Sequence, residues 1–255
     1  METNGTNNVT APVLSMAEQT KIWRLEAEAY KQKEYQKEFE HYTQFLDYNL
    51  DTIVSRKKCN YVENEYNELN QKTFEDIKKY FFNYKKDSVL NTKKGLCLYG
   101  DFGTGKTTIM KIFDDALREV DHYVEQKYEY IKQRKKYFIT VSTNKILSDF
   151  LREGQDSIDN LTWRVTADRF YNEIQNLCID DLADVKPVKY YGNEINLFDS
   201  LILDRYEIFK ERGKITHITT NLTPKEIFES VNFRVSDRMK EMFNFVQING
   251  KSLRQ

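Results

Sequence analysis

The stretch LCLYGDFGTGKTT, residues 96–108, decides the fold. It opens on a short apolar run of strand character, after which Gly100, Gly105, Lys106 and Thr107 fit the pattern G-x-x-x-x-G-K-[ST]. The chain then runs on as TTIMKIFDDALREV, a stretch that reads as a helix. A strand, a glycine-rich turn and a helix in this order are the setting in which such a pattern cradles a phosphate chain. The glycines let backbone N–H groups converge on phosphate oxygens, and the positive end of the helix faces the same point. Lys106 is expected to reach the β and γ oxygens, and Thr107 to supply a hydroxyl to a nucleotide-borne Mg2+.

From about residue 92 onward, short apolar runs alternate with helical stretches, the pattern of a parallel sheet with crossover helices. Strands are predicted at 95–99, 137–142, 176–180, 215–220 and 243–248. Residues 16–85 contain neither glycine nor proline, so nothing obliges a helix there to stop. Ile22, Leu25 and Ala29, and then Phe39, Tyr42, Leu46 and Leu50, recur at spacings of three and four and predict amphipathic helices. Such helices either pack onto the following domain or bind a partner. The Asn- and Thr-rich residues 1–15 are expected to be disordered.

The run NLCIDDLADV ends its apolar part on Asp180 and Asp181. On a strand beside the first one, Asp180 would hold Mg2+ together with Thr107, and Asp181 would polarise the attacking water. In ITHITTNLT, Asn221 falls at a strand end, where a neutral amide can sense the γ-phosphate. Thr223 and Pro224 read as the cap and first position of the next helix. Arg234 and Arg238 lie four apart, on one face if that stretch is helical, and Arg254 follows near the end.

The 255 residues carry 39 Lys and Arg against 40 Asp and Glu, so net charge gives no general pull toward nucleic acid. No apolar run approaches membrane-spanning length and the start of the chain has no signal-peptide pattern, so a soluble cytoplasmic protein is expected. Cys97 and Cys178 lie in apolar runs and read as core residues. His41, His122 and His217 show no metal-ligand spacing.

The succession of the phosphate loop, IDDL, ITTNL, FRVSDRM and GKSLR resembles the AAA+ ATPases of the bacterial helicase-loader branch, DnaC- and DnaI-like and related to the IstB-like transposition helpers. The resemblance covers roughly residues 60–255. It implies an α/β P-loop NTPase fold, a parallel sheet flanked by helices, with a helical N-terminal region over 16–60, an ATPase domain over 61–255, and little or no C-terminal lid. It further implies ATP and Mg2+ as cofactors, bound by Gly100, Asp101, Phe102, Gly103, Thr104, Gly105, Lys106, Thr107 and Thr108. By the same resemblance Asp180 and Asp181 are the acidic pair, Asn221 the first sensor, and Arg238 the arginine finger, with Arg234 its basic neighbour and Arg254 a second sensor.

The partners implied are a hexameric replicative helicase, gripped by the N-terminal helices, single-stranded DNA, and further copies of the chain in a nucleotide-dependent assembly. Two alternatives stand beside this reading: a helper that delivers a transposase, and a nucleotide-gated binding module with negligible turnover. Many AAA+ enzymes carry Glu where Asp181 stands, so slow hydrolysis is one expectation. For DNA, the candidate surface is 126–138, where Lys127, Lys132, Arg134, Lys135 and Lys136 interleave with Tyr128, Tyr130 and Tyr137. A solvated helix end explains the same run.

Overall fold

The computed structural model describes residues 16–59, 61, 68–131, 136–162, 175–182 and 187–250. In chain order the elements are α1 (Met16–Cys59), α2 (Glu68–Phe81), β1 (Gly95–Tyr99), α3 (Lys106–Lys127), β2 (Phe138–Ser142), α4 (Thr143–Glu153), α5 (Gln155–Thr162) and β3 (Asn176–Leu182). They continue as β4 (Val188–Tyr190), β5 (Asn193–Ile195), α6 (Leu197–Arg212), β6 (Thr216–Thr220), α7 (Pro224–Ser230), α8 (Phe233–Met242) and β7 (Phe243–Gln247). All five strands expected from the apolar runs are present. They form one parallel sheet in the order β2-β3-β6-β1-β7.

The sheet is buried on both faces. Leu96 and Leu98 of β1 join a cluster with α1, α2 and α3, while Cys97 between them joins a second cluster with α4, α5, α6 and α8. This alternation follows from the two-residue period of a strand. Cys97 and Cys178 are both buried, as their apolar surroundings predict.

Helix boundaries follow from capping chemistry. Ser142 caps α4 by accepting from the Lys145 N–H, and Asn232 caps α8 by accepting from the Val235 N–H. Thr223 and Glu226 form a reciprocal capping box at α7, with Pro224 in the first turn, as the sequence predicts.

The N-terminal region is one helix of 44 residues, about 66 Å long at 1.5 Å per residue. Only its second half packs: Tyr42, Leu46, Leu50, Ile53 and Val54 are buried, and Phe45 stacks on Tyr123 of α3 at 3.8 Å. The other stripe does not pack onto the following domain. Ile22 is 39% and Leu25 56% exposed, and Ala29 is exposed as well, because no described element lies against that half of the helix.

At the point where α1 leaves the core, the Glu38 carboxylate accepts the successive N–H groups of Glu129, Tyr130 and Ile131 at 2.8–2.9 Å. Partial burial pushes the Glu38 carboxyl upward, but the three N–H bonds outweigh it and its pKa is lowered. The contribution of this clasp is therefore present above the ordinary carboxylate range and is lost as pH falls through the lowered value. Glu38→Ala is expected to speed hydrogen exchange at amides 129–131 while the melting temperature hardly moves, since water can replace a half-exposed acceptor; residue-resolved exchange checks this.

Two buried polar side chains organise the sheet. Arg205 of α6, fully buried, donates to Thr216 Oγ1 at 2.9 Å and to the carbonyls of Leu161, Gln175 and Ile215 at 3.1–3.3 Å, so one guanidinium ties α5 to the start of β3 and β6. Burial lowers its pKa to about 10, which still leaves it a cation at neutral pH. His217 accepts the Leu96 N–H on Nδ1 at 3.1 Å among the rings of Phe81, Phe138 and Tyr80. Burial, with a smaller push from Arg205, holds its pKa down to about 3.

Candidate nucleotide-binding site

Loop 100–105 joins the carboxyl end of β1 to the N-terminus of α3. Gly100 has φ 144, and a Cβ there would stand 2.2 Å from the carbonyl oxygen of Ile248, so no other residue fits. Gly105 caps α3 in the left-handed region at φ 88, which frees the first N–H groups of the helix. Inside the loop Thr104 is buried and donates to the Asp101 carbonyl at 2.9 Å. Phe102, by contrast, is 71% exposed at the loop's tip.

Lys106 is only 8% exposed and is held inside its own loop. Its ammonium donates to the carbonyls of Gly100 and Asp101 at 2.8 and 2.7 Å and to the Asn221 side-chain oxygen at 2.8 Å. Thr107 Oγ1 donates to Asp180 Oδ1 at 2.7 Å. The Asn221 amide in turn lies 3.4 Å from Asp181 Oδ1. Lys106, Thr107, Asp180, Asp181 and Asn221, far apart in the chain, thus meet at the carboxyl ends of three strands, where open α/β sheets bind ligands.

One expectation about this geometry is corrected. The acidic strand β3 does not lie beside β1, because β6 sits between them. That inserted strand brings Asn221 to Lys106, and it also contributes a residue that sequence reading missed. Thr219, 1% exposed, donates its hydroxyl proton to Asp180 Oδ1 at 2.6 Å and accepts the Asp181 N–H at 2.9 Å. A threonine in an apolar strand is ordinary for its β propensity, so nothing in ITHITTN marks it.

The arginines stand apart from this cluster. Arg234 is exposed in the first turn of α8, beside Phe233 at 84% exposed. Arg238 lies over the Tyr206 ring at 4.4 Å with its side chain 32% exposed. Asn232 at the head of α8 donates through its side chain to buried Asp199 at 2.6 Å, and Tyr206 and Lys210 both donate to Glu241 at 2.7 Å, so α6 fixes α8 at both ends. Neither arginine bonds to residues 100–108 among the described residues. Arg254 lies outside the described residues.

The basic run 126–138 is reshaped by the fold. Lys132, Arg134 and Lys135 lie outside the described residues. Lys136 donates to the Phe81 carbonyl at 2.7 Å, Tyr137 lies under the Arg118 guanidinium, and Tyr128 meets His41 and Tyr123. These three members of the run are thus engaged in internal contacts. Among the described residues no helix is long and apolar enough to cross a membrane, and no group of three or more His, Cys, Asp and Glu is placed to hold a metal.

No protein-family model matches the chain, and no curated protein matches it. Solved structures similar to it include DnaI, at 15% identity over 80% of this chain and 93% of that one, with a TM-score of 0.47. The DnaC helicase loader is similar at 18% identity over 75% and 98% of the two chains, with a TM-score of 0.46. AMPPCP-bound DnaA from Aquifex aeolicus is similar at 14% identity over 76% of this chain and 52% of that one, with a TM-score of 0.44. On its own strand order, with the glycine loop between β1 and α3 and the acidic pair near the end of a strand once removed, the chain has an α/β P-loop NTPase fold, a parallel sheet flanked by helices.

Proposed function

We propose that the chain is an ATP-hydrolysing loader of a hexameric replicative helicase, in which ATP-bound copies associate, engage single-stranded DNA and the helicase, and release them on hydrolysis. The convergence of Lys106, Thr107, Asp180, Asp181 and Asn221 carries the ATPase part. The motif succession IDDL, ITTNL, FRVSDRM and GKSLR supports the loader part.

Thr107 Oγ1 and Asp180 Oδ1, 2.7 Å apart, are hard oxygen donors of the kind that suits Mg2+ arriving with a nucleotide. When bound, that ion would supply charge neutralisation to the phosphate chain. The ammonium of Lys106 exchanges its loop carbonyls for phosphate oxygens, which releases the Asn221 side chain to face the γ-phosphate. Asp181 orients the attacking water and draws its proton. Arg238, with Arg234 beside it, reaches the nucleotide of a neighbouring copy, which ties turnover to assembly.

Arg238→Ala is expected to lower turnover about a thousandfold, the scale on which an arginine finger acts. Mixing it with a Lys106→Ala chain, which keeps the arginine and lacks the loop lysine, is expected to restore part of the rate; no restoration contradicts action between copies. The ATP-bound chain is expected to capture a hexameric replicative helicase. Capture of a transposase and no helicase would contradict the loader and favour the transposition helper.

A further inference from the structure

β3 carries one residue more than its partner where the acidic pair stands. Ile179 pairs with Ile218 and Leu182 with Thr220, so β3 takes three steps while β6 takes two. The extra residue forms a bulge, and Asp181 within it adopts φ 56, in the left-handed region. Glycine enters that region freely, aspartate and asparagine do so more readily than other side chains, and glutamate has no such advantage.

Two hydroxyls of β6 tie the bulge down. Thr219 Oγ1 accepts the Asp181 N–H at 2.9 Å and donates to Asp180 Oδ1 at 2.6 Å, while Thr220 Oγ1 donates to the Leu182 carbonyl at 2.5 Å. A single buried hydroxyl is therefore bonded to the carboxylate of one acid and to the backbone of the other. Bulges beside functional sites re-aim side chains. Here the result is a carboxylate at Asp181 that is exposed and lies within 3.4 Å of the Asn221 amide.

We propose that Thr219 is the positioning residue of the hydrolytic centre, and that the bulge it holds makes aspartate, not glutamate, the fitting side chain at position 181. This rests on the reading of the chain as an ATPase. The left-handed backbone at Asp181 and the shorter side chain form one matched arrangement, so the residue is adapted to its strand and the site is not a weakened copy of one built on glutamate. Thr219 acts through both aspartates, one by its carboxylate and the other by its backbone.

Three variants test this. Thr219→Val keeps the shape and removes both bonds, Thr219→Ser keeps the hydroxyl, and Asp181→Glu keeps the charge on a longer stem. Thr219→Val is expected to lower kcat about 10- to 100-fold, the usual effect of losing a partner that orients a metal-site carboxylate. ATP affinity should stay unchanged, and hydrogen exchange at the 181 amide should speed up. Thr219→Ser is expected to retain both the rate and the amide protection, and Asp181→Glu is expected to turn over more slowly than the parent.

A Thr219→Val chain with parental turnover and a protected 181 amide overturns the proposal, as does an Asp181→Glu chain faster than the parent. If Thr219→Val does not fold, the Asp181→Glu rate alone decides in the same sense. A parent chain that binds ATP without ever turning it over overturns both this role and the ATPase reading beneath it. Intact parental turnover with either overturning result removes this inference alone.

Discussion

Alanine in place of Lys106 is expected to lower ATP turnover about a hundred- to a thousandfold, the cost of removing one well-placed donor from a developing charge. The side chain is only 8% exposed, so its stem also fills space, and two variants separate packing from charge. Lys106→Met keeps most of the stem and loses the ammonium; it should fall as far as alanine in both rate and ATP affinity. The local consequence is equally specific. Without the ammonium, the Gly100 and Asp101 carbonyls and the Asn221 side chain lose the one group that gathers them, so the loop should show faster hydrogen exchange before any ligand is added. A Lys106→Met chain that hydrolyses ATP at the parental rate would show that the loop does not handle phosphates.

Acidification is expected to destabilise the fold through His217. In the folded chain its pKa is held near 3 by burial and, secondarily, by Arg205, against 6.5 for an ordinary imidazole. The unfolded chain therefore takes up a proton near pH 6.5 that the folded chain refuses until about pH 3. A depressed pKa means that the full contribution is present above 6.5 and is lost progressively below it. The slope is about 1.4 kcal/mol per pH unit for one proton. Between about pH 6.5 and 5, above the range where most carboxylates titrate, the loss should reach about 2 kcal/mol. Denaturant unfolding at several pH values measures it, and His217→Asn, whose side-chain oxygen can still accept the Leu96 N–H, should flatten the profile. An equally steep profile in His217→Asn would assign the acid sensitivity elsewhere.

What could be read from the sequence was what depends on local chemistry. The glycine spacing of 100–105, the apolar runs that became five strands and the Thr223-Pro224 helix start each act within a few residues, so pattern alone locates them. What could not be read depends on pairing between distant segments. Strand order is non-local, so the placement of β6 between β1 and β3 was missed, and with it the role of Thr219. The β4–β5 hairpin was missed for a different reason. Its two-residue turn has Tyr191 at φ 48 followed by Gly192 at φ 82, a conformation that asparagine usually opens, and an aromatic ring there hides the signal. Helical spacing at Ile22, Leu25 and Ala29 gave the helix but left open what its apolar face meets, because periodicity reports which residues share a face and not whether anything covers it.

The placement of Arg238 carries the same lesson into function. Its position in FRVSDRM suggests a group that acts on phosphate, and its packing over Tyr206 shows where it rests within a single chain. The two are compatible if a second copy draws it outward, which makes assembly the variable to control. The most direct measurement is the ATPase rate per chain at increasing protein concentration, with and without single-stranded DNA. Assembly-coupled hydrolysis predicts a rate that climbs with concentration and climbs further with DNA. A negligible rate under every condition, despite tight ATP binding, would contradict it and leave a nucleotide-gated binding module.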